Sequence, residues 1–290
     1  MYLPVGSTAA VWDLRFPRGV RATIPSRRAQ FFAQYFRQNF SLPDSIMRYT
    51  EKNPKTWKLY QKMIRTCKDF FVKNPILVVR RLSHNKNDVW FADQLLIDLK
   101  KIKCKFWVTE KFFVFQNVED YVPNIVSSNV PKLYKCEAKF VYLTCHTISY
   151  YDLSFLISDA EKIVFIDVTL KDENGKILPL EKLIEACIKA ERIEIIRPTM
   201  TSKTFNELVR IPHFANLRSL TLDGLHEDFD IEAFYVYMKK NRFTYFELYF
   251  ESSISDGYKA RIEEIIDNEI NATEEFDYVP PSIQFNVLDE

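Results

Sequence analysis

Cys145-His146 is the one place where a thiol adjoins an imidazole in this 290-residue chain, the pairing a cysteine nucleophile and its base would need. The two residues end an apolar segment that reads as a strand, and successive strand residues point to opposite faces. Catalysis is therefore not expected there. The other imidazoles, His84, His213 and His226, stand alone, and no Cys or His pair has zinc-ligand spacing. Neither a G-x-x-x-x-G-K-[ST] loop nor a G-x-G-x-x-G turn occurs, which argues against nucleotide folds. Asp223-Gly-Leu-His-Glu-Asp228 is acidic enough for a cation but reads better as a strand-to-helix loop. Glu263, Glu264, Asp267 and Glu269 read as a solvated helix face. No cofactor, metal or catalytic residue is expected.

The elements around these residues form a repeating pattern. Apolar segments recur at Phe140–Leu143, Ile163–Ile166, Ile193–Ile196, Leu217–Leu222 and Phe246–Phe250, roughly 23 to 30 residues apart. Each gap holds a helical pattern, read at Tyr150–Ser158, Pro179–Ala190, Ser202–Val209, Ile231–Lys240 and Asp256–Ile270, with Ser202, Asp230 and Ser255 as N-caps. One strand-plus-helix unit cannot bury its apolar face alone and must stack on its neighbours. The fold class expected is α/β, a leucine-rich-repeat-like strand–helix solenoid with an open parallel sheet. Ile193, Ile195, Leu220 and Leu222 belong to its core. Such a scaffold presents a surface, so a binding protein is expected.

Composition agrees. The chain is 47% hydrophobic with 24 Phe, ample for a core, and has only 5 Gly for tight turns. No apolar run is long enough for a membrane span, and the start lacks an apolar signal core. The five Cys form no C-x-x-C pair and read as reduced, buried thiols of an intracellular protein, cytoplasmic or nuclear. The net charge of +1 hides a basic first half, to residue 135, and an acidic remainder. The basic residues are scattered along the chain, so the halves are expected to face and partly neutralise each other.

Residues 1–30, rich in Pro and Arg, read as an irregular extension. Residues 31–74 carry helical patterns, including Phe31, Phe32, Tyr35 and Phe36. Residues 75–135 read as a connector with strands at Ile76–Val79, Leu95–Leu99 and Phe106–Phe115, residues 136–270 as the repeats, and 271–290 as an acidic cap or tail. The most informative local run is Leu42-Pro-Asp-Ser-Ile-Met-Arg-Tyr-Thr50, followed by a second helix with Asn53 as N-cap and Pro54 in its first turn. Leu59, Met63, Ile64, Cys67 and Phe70 form an apolar stripe at three- and four-residue spacing.

This run resembles an F-box. Leu42-Pro43 opens a short helix, and a second helix closes on Thr66-Cys67-Lys68-Asp69-Phe70, similar to the apolar-Cys-Lys-x-aromatic signature. Thr50 and Thr66 depart from it, standing where large apolar residues are usual. A wider likeness covers residues 37–281. Asn53-Pro-Lys-Thr-Trp57, Lys68-Asp-Phe-Phe-Val-Lys-Asn-Pro-Ile-Leu-Val-Val79, Ile148-Ser-Tyr-Tyr-Asp-Leu-Ser-Phe-Leu156 and Thr201-Ser-Lys-Thr-Phe-Asn-Glu-Leu-Val-Arg-Ile-Pro-His-Phe214 resemble a rapidly expanded nematode family of F-box-like proteins. The resemblance implies a degenerate F-box followed by irregular leucine-rich-like repeats. It implies a non-catalytic substrate-recognition adaptor of a cullin–RING ubiquitin ligase, with the repeats holding a target protein. The Skp-type adaptor of that ligase would meet Leu42, Pro43, Ile46, Met47, Leu59, Met63, Cys67 and Phe70. The alternative is a nucleic-acid or other protein-binding scaffold using the basic half, but no base-reading motif appears, and nucleic acid is not the expected partner.

Overall fold

A computed structural model describes residues 43–85, 89–117, 121–270 and 278–285, together with Gln30 and Ala33. The extension read over residues 1–30, the helical pattern around Phe31 to Phe36, Leu42 and most of the tail lie outside the described residues.

Through the first part of the chain run helices α1 (Asp44–Lys52), α2 (Trp57–Thr66) and α3 (Lys68–Lys73), then strands β1 (Ile76–Asn85), β2 (Val89–Ala92), β3 (Leu95–Ile97) and β4 (Lys105–Val114), helix α4 (Ile125–Asn129) and strand β5 (Leu133–Cys136). The strand–helix alternation follows as β6 (Phe140–Ser149), α5 (Tyr150–Ile157), β7 (Lys162–Lys171), the short β8 (Ile177–Leu178), α6 (Leu180–Ala186), β9 (Arg192–Ile196), α7 (Thr204–Leu208), β10 (Ser219–Leu225), α8 (Ile231–Met238), β11 (Tyr245–Phe250), α9 (Asp256–Ile265) and β12 (Ser282–Phe285).

The fold is mixed α/β, with one open sheet of 12 strands among the described residues, ten in the order β3-β2-β1-β4-β6-β7-β9-β10-β11-β12, with β5 paired to β4 and β8 to β7 off this path. The five repeat strands, β6, β7, β9, β10 and β11, are parallel and neighbour each other in sequence order, the arrangement short right-handed crossovers favour. The same sheet continues into residues 75–135. There β1 pairs parallel with β4 and β4 with β6, while β2 and β3 fold back antiparallel. The strand read over Phe106–Phe115 is present as Lys105–Val114. A register shift beside Val79 and Arg81 absorbs its polar middle, where the Thr109 hydroxyl donates to the Val79 carbonyl (3.2 Å).

One face of the sheet is covered. Phe106, Val108, Phe112, Val141, Leu143, Ile163, Phe165, Ile193, Ile195, Leu220, Leu222, Phe246 and Leu248 join one core with the buried sides of α4 to α9. The expected core positions Ile193, Ile195, Leu220 and Leu222 are all within it. The repeat strands looked apolar throughout, but burial alternates along them, as in β9 and β11. Residues on the other face, such as Arg192, Glu194, Thr221 and Glu247, are not covered by the repeat helices.

Four of the five repeat strands, β6, β7, β9 and β10, turn at the same level. Cys145, Asp167, Arg197 and Gly224 have φ of 56°, 54°, 58° and 77° and follow directly on residues that pair in register across β6, β7, β9 and β10. Gly224 suits its place because a Cβ there would lie 3.0 Å from Arg197 Cγ. Asp223 and Gly224 thus belong to a strand with a bulge, a correction to the loop read from the sequence. The Asn174-Gly175 turn is present, with φ of 80° at Gly175, and joins β7 to the short antiparallel β8.

The repeat helices begin near the expected places, with Asp230 and Ser255 as caps accepting from Ala233 N (2.9 Å) and Tyr258 N (3.4 Å). Ser202 does not cap α7, which starts at Thr204 behind Lys203 and has no side-chain cap. Several helices end earlier than the apolar pattern, α6 at Ala186 and α8 at Met238.

Candidate interaction sites

Helices α1 to α3 sit at the β1–β4–β5 end, on the face opposite the repeat helices. Their anchor is Tyr60, fully buried with Ile76 and Trp107 and flanked by Trp57, Ile64, Val78 and Tyr134. The Tyr60 hydroxyl donates to the Asn74 carbonyl (2.8 Å) and accepts from the Ile76 amide (3.0 Å), so a polar tip is satisfied inside an apolar site. Burial pushes its pKa up. Its ring lies 6.5 Å from Trp107, which contacts Tyr134 at 5.2 Å, and the Tyr134 hydroxyl donates to the Lys52 carbonyl (3.2 Å).

A second tie is ionic. Glu51 and Asp69 are both buried, and Lys73 bridges them at 3.1 and 2.7 Å. Asn74 Nδ2 also donates to the Glu51 carbonyl (2.7 Å). One shared ammonium keeps two carboxylates from facing a low-dielectric site uncompensated.

The expected cap is displaced. Thr56, not Asn53, caps α2, its hydroxyl accepting from the Leu59 amide (3.2 Å). Asn53 instead closes α1, its side chain donating to the Tyr49 carbonyl (3.1 Å). The buried residues of α2 are Tyr60 and Met63. Among the expected adaptor-contacting residues, Met47, Met63 and Cys67 are buried in the protein's own packing, and Phe70 is half-buried. Pro43 is exposed, as are Ile46 at 50% and Leu59 at 42%. Tyr49, not singled out from the sequence, is 68% exposed and lies three residues beyond Ile46 on the same side of α1. Its amphipathic ring is a common surface anchor, and that signal was available.

Cys145-His146 proves to be two separate environments. Cys145 Sγ lies 3.9 Å from Asp167 Oδ2, and Asp167 pairs with Arg197. Burial and the Asp167 carboxylate push the thiol up, which keeps it protonated and weakly nucleophilic. His146 is buried, and burial together with neighbouring His84 lowers its pKa from 6.5 to about 4. Between those two values the unfolded chain binds a proton that the folded chain refuses, so stability falls as pH falls through that window. The expected loss attributable to His146 is on the order of 3 kcal/mol. Urea unfolding at pH 7 and pH 4 measures it, and His146→Gln should lose correspondingly less on acidification. Equal losses in both proteins contradict the assignment.

No group of three or more His, Cys, Asp or Glu among the described residues is placed to hold a metal ion. Nor is any described helix long and apolar enough to cross a membrane. Compared with protein-family models, with curated proteins and with solved structures, the chain matches none.

Proposed function

We propose that this chain is a non-catalytic recruiting protein of a cullin–RING ubiquitin ligase, acting in the cytoplasm or nucleus. In this reading α1 to α3 are a degenerate F-box that docks a Skp-type adaptor, and the strand–helix repeats form a leucine-rich-repeat-like solenoid that holds the target. The observation carrying it is the division of labour on α1. Met47 and Glu51 bind that helix to the protein, while Ile46 and Tyr49 stay outward. Large apolar side chains held outward on a firmly anchored helix are the usual anchors of a partner interface. Anchoring also serves the task, because a recruiter acts by holding target and ligase at a fixed separation.

Only part of the F-box-like surface is available, since Met47, Met63 and Cys67 are turned inward. The contact is accordingly expected to centre on α1. Substituting Ile46→Asp with Tyr49→Asp should weaken adaptor binding by at least about tenfold, with the thermal unfolding midpoint unchanged because both side chains are exposed. Co-purification of an immobilised Skp-type adaptor with each protein measures this. Undiminished capture of the doubly substituted chain rejects the α1 contact.

A further inference from the structure

The sheet face not covered by the repeat helices carries a charge pattern that no stretch of sequence contains. Arg81, Lys111, Phe140, Lys162 and Arg192 pair in register across the neighbouring strands β1, β4, β6, β7 and β9. Their chain neighbours Leu82, Phe112, Val141, Ile163 and Ile193 point into the core, so the row itself lies on the opposite face. Arg81, Lys111, Lys162 and Arg192 are exposed and make no ion pair among the described residues. At about 4.8 Å between strands the row spans about 19 Å.

Aromatic rings hold these cations in place. The Arg81 guanidinium lies 4.8 Å from the Phe113 ring centre and Lys162 Nζ 5.1 Å from that of Phe140. Phe113 in turn stacks on Tyr142 (5.4 Å) and meets Phe140 edge-on (4.9 Å). Beside them Arg81, Ser83, Phe91, Phe113 and Tyr142 line an open concavity of about 370 Å³, which Asp93 also borders while accepting from the Arg80 and Arg81 amides (2.9 and 2.8 Å). The sign reverses directly beyond Arg192, beginning with Glu194, the next residue on the same face of β9. Glu194, Asp223 and Glu247 surround Tyr249, whose hydroxyl burial and these carboxylates push up.

We propose that this cation–aromatic row on β1 to β9 binds an extended acidic segment of a partner protein, crossing the strands with its carboxylates on Arg81, Lys111, Lys162 and Arg192. Charge complementarity fixes the sign and the direction. The acidic stretch covers the row, about six extended residues long, and ends before the Glu194–Asp223–Glu247 patch, which repels further acids. Single-stranded nucleic acid fits less well. Arg81, Tyr142 and Lys162 already lie against the rings of Phe113 and Phe140, which reduces the surface left for base stacking, and the acidic patch opposes a continuing phosphate chain. A second copy of this chain is hindered because α1 to α3 stand on the same face, a helix thickness of about 10 Å above the strands.

The inference deepens the reading of the repeats as the target-holding part and is independent of the adaptor contact on α1. Its test is fluorescence anisotropy with the full chain and no adaptor present. The probe is a labelled peptide of alternating Glu and Thr, about twelve residues long to span the row with margin. Its Gln-for-Glu counterpart and an oligo-dT of similar charge serve as comparisons. Saturable, salt-sensitive binding of the acidic peptide is expected, with weaker binding of both others. Lys111→Glu with Lys162→Glu should weaken it at least about tenfold at unchanged circular dichroism, and Lys240→Glu, remote on the helical side, should not. Absence of acidic-peptide binding, preference for oligo-dT, equal binding by the Lys111/Lys162 variant, or a wild-type dimer that this variant dissolves would each overturn the proposal.

Discussion

Replacing Tyr60 by Ala is expected to cost about 3–5 kcal/mol and to release the N-terminal helices from the sheet. Two effects add at this residue. The ring fills the space between α2, Ile76 and Trp107, so truncation opens a cavity under helices too short to stand alone. Its hydroxyl also satisfies the Ile76 amide and the Asn74 carbonyl, two backbone groups at the entry to β1. Tyr60→Phe separates the two, since the ring remains and the polar groups are orphaned, at about 1–3 kcal/mol. Chemical denaturation measures both variants, and hydrogen exchange over residues 44–73 locates the loss. A Tyr60→Ala loss below about 1 kcal/mol would mean that the Glu51–Lys73–Asp69 tie, not the ring, holds the helices.

The second large effect lies among the repeats. Phe205 meets Phe229, Phe234 and Tyr237 edge-on at 5.5, 5.6 and 5.9 Å, with Phe214 at 6.5 Å. Its helix α7 has only 5 residues and no side-chain cap, so intrinsic propensity contributes little to its position. Phe205 and Leu208 hold it to the core. Phe205→Ala should therefore cost about 3–5 kcal/mol, and Phe205→Leu, closer in volume, roughly half as much. Urea midpoints for the two variants test this. Equal losses would show that the edge-on ring geometry, and not the filled volume, sets the stability.

Much of this fold was legible because burial on one side leaves a periodic trace. The recurring apolar runs at Ile193–Ile196 and Leu217–Leu222 located β9 and β10, and Ile193, Ile195, Leu220 and Leu222 all fall on the core face. Where polar residues interrupt a strand, the trace is weaker. Thr109, Glu110 and Lys111 interrupt the apolar run of β4, and a bulge there puts an additional residue where alternation expects none. Helix α2 was misread for a related reason. Pro54 marks a first helical turn so strongly that Asn53 looked like the cap, yet Asn53 finishes the helix before it. Tyr60 was passed over because a tyrosine reads as readily outside as inside, and only the converging Ile76 amide and Asn74 carbonyl decide the matter.

The surface sites were far less legible. Arg81, Lys111, Lys162 and Arg192 lie roughly 30 to 50 residues apart, about one or two repeat periods, and look scattered. Strand register alone makes them neighbours. Two of the four cations, Lys162 and Arg192, come from the acidic part of the chain, so the row does not follow the charge division between the halves.

Calorimetric titration of the purified full chain with a Skp-type adaptor tests the proposed docking by α1 to α3. A one-to-one complex is expected, with heat that saturates at about 10 µM protein or below, and that heat is lost in the chain carrying Ile46→Asp and Tyr49→Asp. No heat and no co-eluting complex from the folded wild-type chain at that concentration would contradict the docking, leaving the helices as a structural cap on the sheet.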